Sequence, residues 1–284
     1  MYDAVVGPFV QYGFMQRALL GSVVLSVSCA PVGVFLMLRR MSLTGDAMSH
    51  AILPGAALGF LLFGLDILPM TIGGLVVGLV VALGSGLVSR FTVQKEDASM
   101  AAFYLISLAV GVLLVSWRGS SVDLMHVLFG SVLALNDEAI GLIVSIAAVT
   151  FLAVGFCWRG LVAECLDPLF LRSVSRIGGP VHFLFLVLVV LNLVGGFQAL
   201  GTLLSVGLMM LPAVAARFWS NDVRTLCLIA IAIAVVSSLG GLLLSYHASM
   251  PSGPHHHARR GRLHPVRIFW SKRRACERAP VAPP

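Results

Sequence analysis

The residues with the greatest chemical capacity lie in one stretch, Met41-Ser-Leu-Thr-Gly-Asp46-Ala-Met-Ser-His50-Ala-Ile-Leu-Pro54-Gly55. Asp46 and His50 are four apart, so on a helix they share a face and can reach one ion. Pro54 lacks an N–H and crowds the carbonyl four residues earlier, which is that of His50. The spacing therefore predicts a kink, with a free carbonyl oxygen beside an imidazole and a carboxylate. That set suits a divalent transition metal. If Arg40 marks the inner membrane interface, a rise of about 1.5 Å per residue puts Asp46 about 9 Å and His50 about 15 Å deeper, the latter near the midplane. The same spacing fits a buried Asp–His hydrogen bond that joins two helices equally well.

Enzyme chemistry finds no footing. There is no HExxH for a metalloprotease and no GxxxxGK[ST] loop to cradle ATP. Gly84-Ser85-Gly86 is not a nucleophile elbow, and no His or Asp stands ready to activate that serine. Cys29, Cys157, Cys165, Cys227 and Cys276 form no CxxC pair, so neither a zinc knuckle nor a disulfide framework is indicated.

The elements that must position these residues follow from composition. The chain has 284 residues, 58% hydrophobic and 11% charged, against about 25% charged in soluble domains. Its mean hydropathy is +0.98. Apolar blocks near 18–38, 41–64, 69–89, 98–116, 139–157, 181–197, 199–216 and 225–246 are each long enough to cross a core of roughly 30 Å. The expectation is an all-α polytopic membrane protein with about eight transmembrane helices. The transmembrane domain is expected to cover 1–253, with no cleavable signal peptide apparent at the start.

Positive charge orients the spans. Arg39, Arg40, Arg90, Lys95, Arg159, Arg172, Arg176, Arg217 and Arg224 fall on one side, and Arg17 and Arg118 on the other. The first side is read as cytoplasmic, with the N-terminus outside. Gly195-Gly196-Phe197-Gln198 is then an uncharged external hairpin. The external stretch Val122–Leu135 reads either as an interfacial or re-entrant helix or as an ordinary amphipathic loop. Asp123 and His126, three apart within it, are candidate capture ligands. His247, in Ser245-Tyr246-His247 at the outer end of the last span, either lines an entrance or rests at the interface. Asn192 reads as a helix-joining residue. Pro212 is expected to kink the seventh span, and His255-His256-His257 is discounted as a metal tract. The net charge of +7 sits wholly in the tail after Pro254, so it marks no nucleic-acid surface.

The 41–55 motif resembles the signature of permease subunits of ABC importers for zinc and manganese. So does Gly201-Thr-Leu-Leu-Ser-Val-Gly-Leu-Met-Met-Leu-Pro-Ala-Val-Ala-Ala-Arg217. Glu164-Cys-Leu-Asp167-Pro168-Leu-Phe-Leu-Arg172 is similar to the family's cytoplasmic docking segment, and Ser245–Gly253 to its late outer loop. The match runs from about Phe14 to Gly253, with zinc permeases the nearer likeness. The resemblance implies a homodimer, cytoplasmic ATPase subunits and an extracytoplasmic metal-binding protein, in a bacterial plasma membrane. It implies no permanently bound cofactor, with Zn2+ or Mn2+ as the transported substrate. Asp46 and His50 match the residues expected to meet the metal. A docking helix is expected within 158–179, using Glu164, Asp167, Pro168, Arg172 and Arg176. An ATPase-independent secondary metal transporter or channel, with Asp46 and His50 as a proton relay, is the alternative reading. Family members continue into a ninth span where residues 254–284 are rich in Arg, His, Pro and Ala. A frameshift after Gly253 is one explanation; a genuine tail of that composition is expected to be disordered.

Overall fold

The computed structural model describes residues 12–64, 66–93, 96–117, 135–166, 171 and 178–247. Asp123, His126, Asp167, Pro168, Arg172, Arg176 and the whole tail after Pro254 lie outside the described residues. The described residues form α1 (Gly13–Leu38), α2 (Ser42–Phe63), α3 (Ile67–Phe91), α4 (Glu96–Trp117), α5 (Asp137–Phe156), α6 (Trp158–Leu166), α7 (Gly178–Leu200), α8 (Thr202–Ala216) and α9 (Val223–His247), with no strand among them. Seven of these are long and apolar enough to cross a membrane. Lipid offers the backbone no hydrogen bonds, so a spanning segment must satisfy its N–H and C=O groups within itself, which an α-helix does.

α1 and α7 are the inner helices, while α4, α5 and α9 keep most of their surface outward. Phe35, Leu36, Phe185, Leu186, Val189 and Val190 fill the space between them. Lipid tails are as apolar as leucine, so what holds such helices together is close packing and buried hydrogen bonds. Asn192 on α7 supplies both kinds of contact. Its amide donates to Thr150 Oγ1 on α5 at 2.9 Å and to the Leu188 carbonyl at 2.8 Å. The Cys29 thiol on α1 lies 3.6 Å from its Oδ1. The helix-joining role expected of Asn192 is the one it plays.

Two corrections concern the chain's second half. The Gly195–Gln198 hairpin does not form, since all four residues lie inside α7. The chain instead turns at Gly201, whose φ of +80° favours glycine. Gly196 serves packing: a Cβ there would overlap the Ser205 side chain of α8. The expected span at 199–216 is also shorter than a crossing requires. α8 has 15 residues, about 22 Å at 1.5 Å per residue, because Gly201 begins it late and a turn at Arg217 ends it. The other boundaries fall within a few residues of the apolar blocks.

α2 and α3 pack through glycines. A Cβ on either Gly55 or Gly73 would overlap the other's carbonyl oxygen, so the two backbones touch where larger residues would hold them apart. Pro54 stays within a continuous α2. Ser107 of α4 donates to the neighbouring Ala51 carbonyl at 2.9 Å, so a side chain satisfies an acceptor in the turn that Pro54 disturbs. Replacing Gly73 by Leu is expected to lower stability by about 1–3 kcal/mol through overpacking, read as a lower Tm in detergent. Gly141→Ala, at a position with nothing within 4 Å, should leave Tm unchanged or slightly higher. Equal melting of Gly73→Leu and the parent would contradict the seam.

Candidate metal site

α2 starts from a tight corner. Only Arg39, Arg40 and Met41 separate it from α1. The Arg40 and Met41 amides donate back to the Met37 and Leu36 carbonyls, each at 3.0 Å. Arg40 sits at φ +60°, a left-handed conformation uncommon for a residue with a side chain. The entry angle of α2 is therefore held by backbone bonds at the end of α1.

Asp46 and His50 follow in the first turns of α2, on one face, with Asp46 Oδ1 3.8 Å from His50 Nε2. That is too long for a hydrogen bond. An ion bound to both at about 2.1 Å would hold the two atoms about 3–3.4 Å apart, so a small side-chain adjustment closes the gap on an ion. The His50 ring lies 6.3 Å from that of Tyr104 on α4. Thr44, Met48 and Ile52 on the opposite face are buried. Gly45 admits Met209 and Met210 of α8 against the start of the helix.

Within one chain the Asp46 side chain is 59% exposed and that of His50, beside Tyr104 of α4, 32%. Among the described residues no group of three or more His, Cys, Asp or Glu gathers anywhere. His247 stands apart at the end of α9, exposed, with Nδ1 2.9 Å from the Leu243 carbonyl and its ring against Tyr246.

Glu164 is the surprise. It was assigned to ATPase docking, yet its side chain is 1% exposed and faces the bundle from α6. Arg39 Nη2 approaches Glu164 Oε1 at 3.5 Å and His182 Nδ1, on α7, at 2.6 Å. A guanidinium can only donate, so Nδ1 accepts and the ring carries its proton on Nε2. His182 Nδ1 also stands 3.9 Å from Glu164 Oε1. Arg39 also lies over the Phe185 ring, 5.0 Å from its centre. Trp158 packs edge-on against Phe35, which seats the start of α6 on α1. The Glu164 carboxylate therefore faces the bundle and not the surface on which a docking residue would lie. Sequence reasoning passed over Arg39, taken only as an orientation marker, and His182. The available signal was a lone histidine opening an otherwise apolar span.

Residues 11–257 match the ABC 3 transport family. The chain belongs to that family. It is 32% identical over 243 residues to the manganese import system permease protein ScaB of Streptococcus parasanguinis, covering 86% of this chain and 85% of that one. It is also 32% identical to the chelated iron transport system membrane protein YfeD of Yersinia pestis, over 89% of this chain and 84% of that one. Among solved structures, PsaBC from Streptococcus pneumoniae in complex with Fab superposes with a TM-score of 0.76 at 31% identity, over 89% of this chain and 90% of that one. The protein is thus a permease subunit that crosses the bacterial plasma membrane several times. It is not itself an enzyme, and ATP hydrolysis belongs to a separate subunit.

The seating of α6 can be read chemically. Burial pushes the Cys165 thiol up to about 12, with Arg39 opposing the rise and Glu164 adding to it. It is the thiolate, not the thiol, that attacks a maleimide. Cys165 in the folded permease should stay unmodified at neutral pH, as judged by mass spectrometry of its peptide, and react once the chain is unfolded. Rapid modification of the folded protein would contradict the packing of α6 against the bundle.

Proposed function

We propose that this permease forms the pathway of an ATP-driven importer for a divalent transition metal, and that Asp46 and His50 meet the ion during its passage. The observation behind this reading is an acid–imidazole pair on one face of a membrane helix, left open in a single chain. An Asp at the centre of a membrane helix costs about 3 kcal/mol on insertion scales, so such a face needs a partner. A second copy of the permease supplies one. Two copies bring two carboxylates and two imidazoles together, enough donors for a four-coordinate site or, with waters, a six-coordinate one.

Carboxylate oxygen with imidazole nitrogen accepts manganese, iron and zinc. The expectation that put zinc first has no support among the relatives named here, which are a manganese permease and a chelated-iron membrane protein. Manganese is therefore placed ahead of zinc. In this reading an extracytoplasmic metal-binding protein delivers the ion. Cytoplasmic ATPase subunits dock on the segment between 158 and 179, with Asp167, Pro168, Arg172 and Arg176 as its contact residues. ATP-driven closure then switches access to Asp46 and His50 from outside to inside. Asp123, His126 and His247 are proposed as outer residues along the approach.

Uptake into vesicles holding the permease and its ATPase tests this directly. The Asp46→Ala/His50→Ala variant should lose at least about tenfold in manganese uptake, the scale seen when metal-site groups are removed, while inserting normally. Wild-type uptake by that variant would sink the assignment. Uptake without the ATPase would instead favour a secondary transporter.

A further inference from the structure

The cluster of Arg39, Glu164 and His182 has no part in binding the ion, and its cost in stability is not obviously repaid by packing. All three side chains are buried, at 8%, 1% and 2% exposure. A buried ion pair is weak support for a fold, since well-packed apolar residues of similar volume often do as well or better. What charged partners add is a directional link that fails if either end is changed.

The three residues connect the elements that movement would have to cross. Glu164 stands on α6, which opens the cytoplasmic segment 158–179. His182 is in the first turns of α7. Arg39 closes α1, and three residues later α2 begins. The corner between them cannot absorb much motion, because the Arg40 and Met41 amides are bonded back to α1 and Arg40 already occupies the left-handed region. A displacement of Arg39 is therefore delivered to Ser42, and Asp46 lies four residues further along the same helix.

We propose that Arg39, Glu164 and His182 form the joint through which movement of α6 reaches the metal-bearing helix α2. They are positioning residues: Glu164 pulls on the Arg39 guanidinium, and His182 Nδ1 fixes the direction in which that guanidinium points. The proposal rests on the importer reading above, in which α6 adjoins the ATPase. It differs in kind from docking, since none of the three reaches a partner's surface.

The test uses the permease assembled with its ATPase in proteoliposomes, with ATP hydrolysis and manganese uptake measured on the same preparation. Glu164→Gln keeps the volume and removes the charge. Hydrolysis should stay near the parent rate while uptake per ATP falls about tenfold, within the usual range of coupling free energies. Glu164→Asp should recover much of the loss. His182→Gln, which keeps an acceptor for Arg39, should couple better than His182→Leu. Unchanged uptake per ATP in Glu164→Gln would overturn the joint. So would full transport by the apolar triple variant Arg39→Met/Glu164→Leu/His182→Phe, which would make the cluster a structural filler. A second arm does not depend on which ion moves. Fluorophores carried by noncanonical residues at the exposed positions Leu62 on α2 and Val236 on α9 should report a distance change on ATP binding. Glu164→Gln should abolish that change, and an identical change in the variant would overturn the joint. If the labels move in the parent but no metal is taken up, the importer reading fails and the joint is still decided by this arm.

Discussion

An ionised side chain at membrane depth must find a partner, because lipid solvates neither the charge nor its hydrogen bonds. With 11% charged residues, this permease has few such groups, and where they fall orders much of the rest. Arg39 and Glu164, buried with His182 where α1, α6 and α7 meet, pair with one another and in doing so hold α6 against α1 and α7. Asp46 and His50 do not answer that demand within one chain. Their helix packs against α3 through glycines and against α8 at Gly45, which buries Thr44, Met48 and Ile52, while α4 meets it at Pro54, Ser107 and Tyr104 and leaves the acid–imidazole pair partly open. A surface that the fold has left polar at that depth is a surface meant to be covered or wetted.

The two groups are mechanically close although they are chemically separate. Both bear on α2, one through its corner with α1 and the other on its first turns. Glycine contacts at Gly55 and Gly73 keep α2 against α3 below them, so a force applied at the corner has a short, stiff path. The interior around Asn192 is a different kind of polar node. Its bonds to Thr150 and the Leu188 carbonyl tie α5 and α7 together and leave no open face for an ion.

Helices were easy to read from this chain because span length and apolar runs report directly on the bilayer. The pairing of Asp46 with His50 was also legible, since it is local to one helix. The Gly195–Gly196 pair misled because glycines mark turns and also tight helix contacts, and only the position of Ser205 in space decides which. The shortness of α8 follows from the same misplacement of the turn. Glu164 was read as a surface residue because its partners are far away in the chain: Arg39 is 125 positions earlier and His182 belongs to the next long helix. No spacing rule links residues on three different elements. Asp123, His126, Asp167, Pro168, Arg172 and Arg176 lie outside the described residues.

The most direct test of the central claim is spectroscopic. Manganese bound to the purified permease should show, by pulsed electron paramagnetic resonance, nitrogen couplings from imidazole. Those couplings should disappear in His50→Gln while the protein remains folded and inserted. A manganese spectrum identical in the parent and in His50→Gln would contradict the claim that the ion is held by this face of α2.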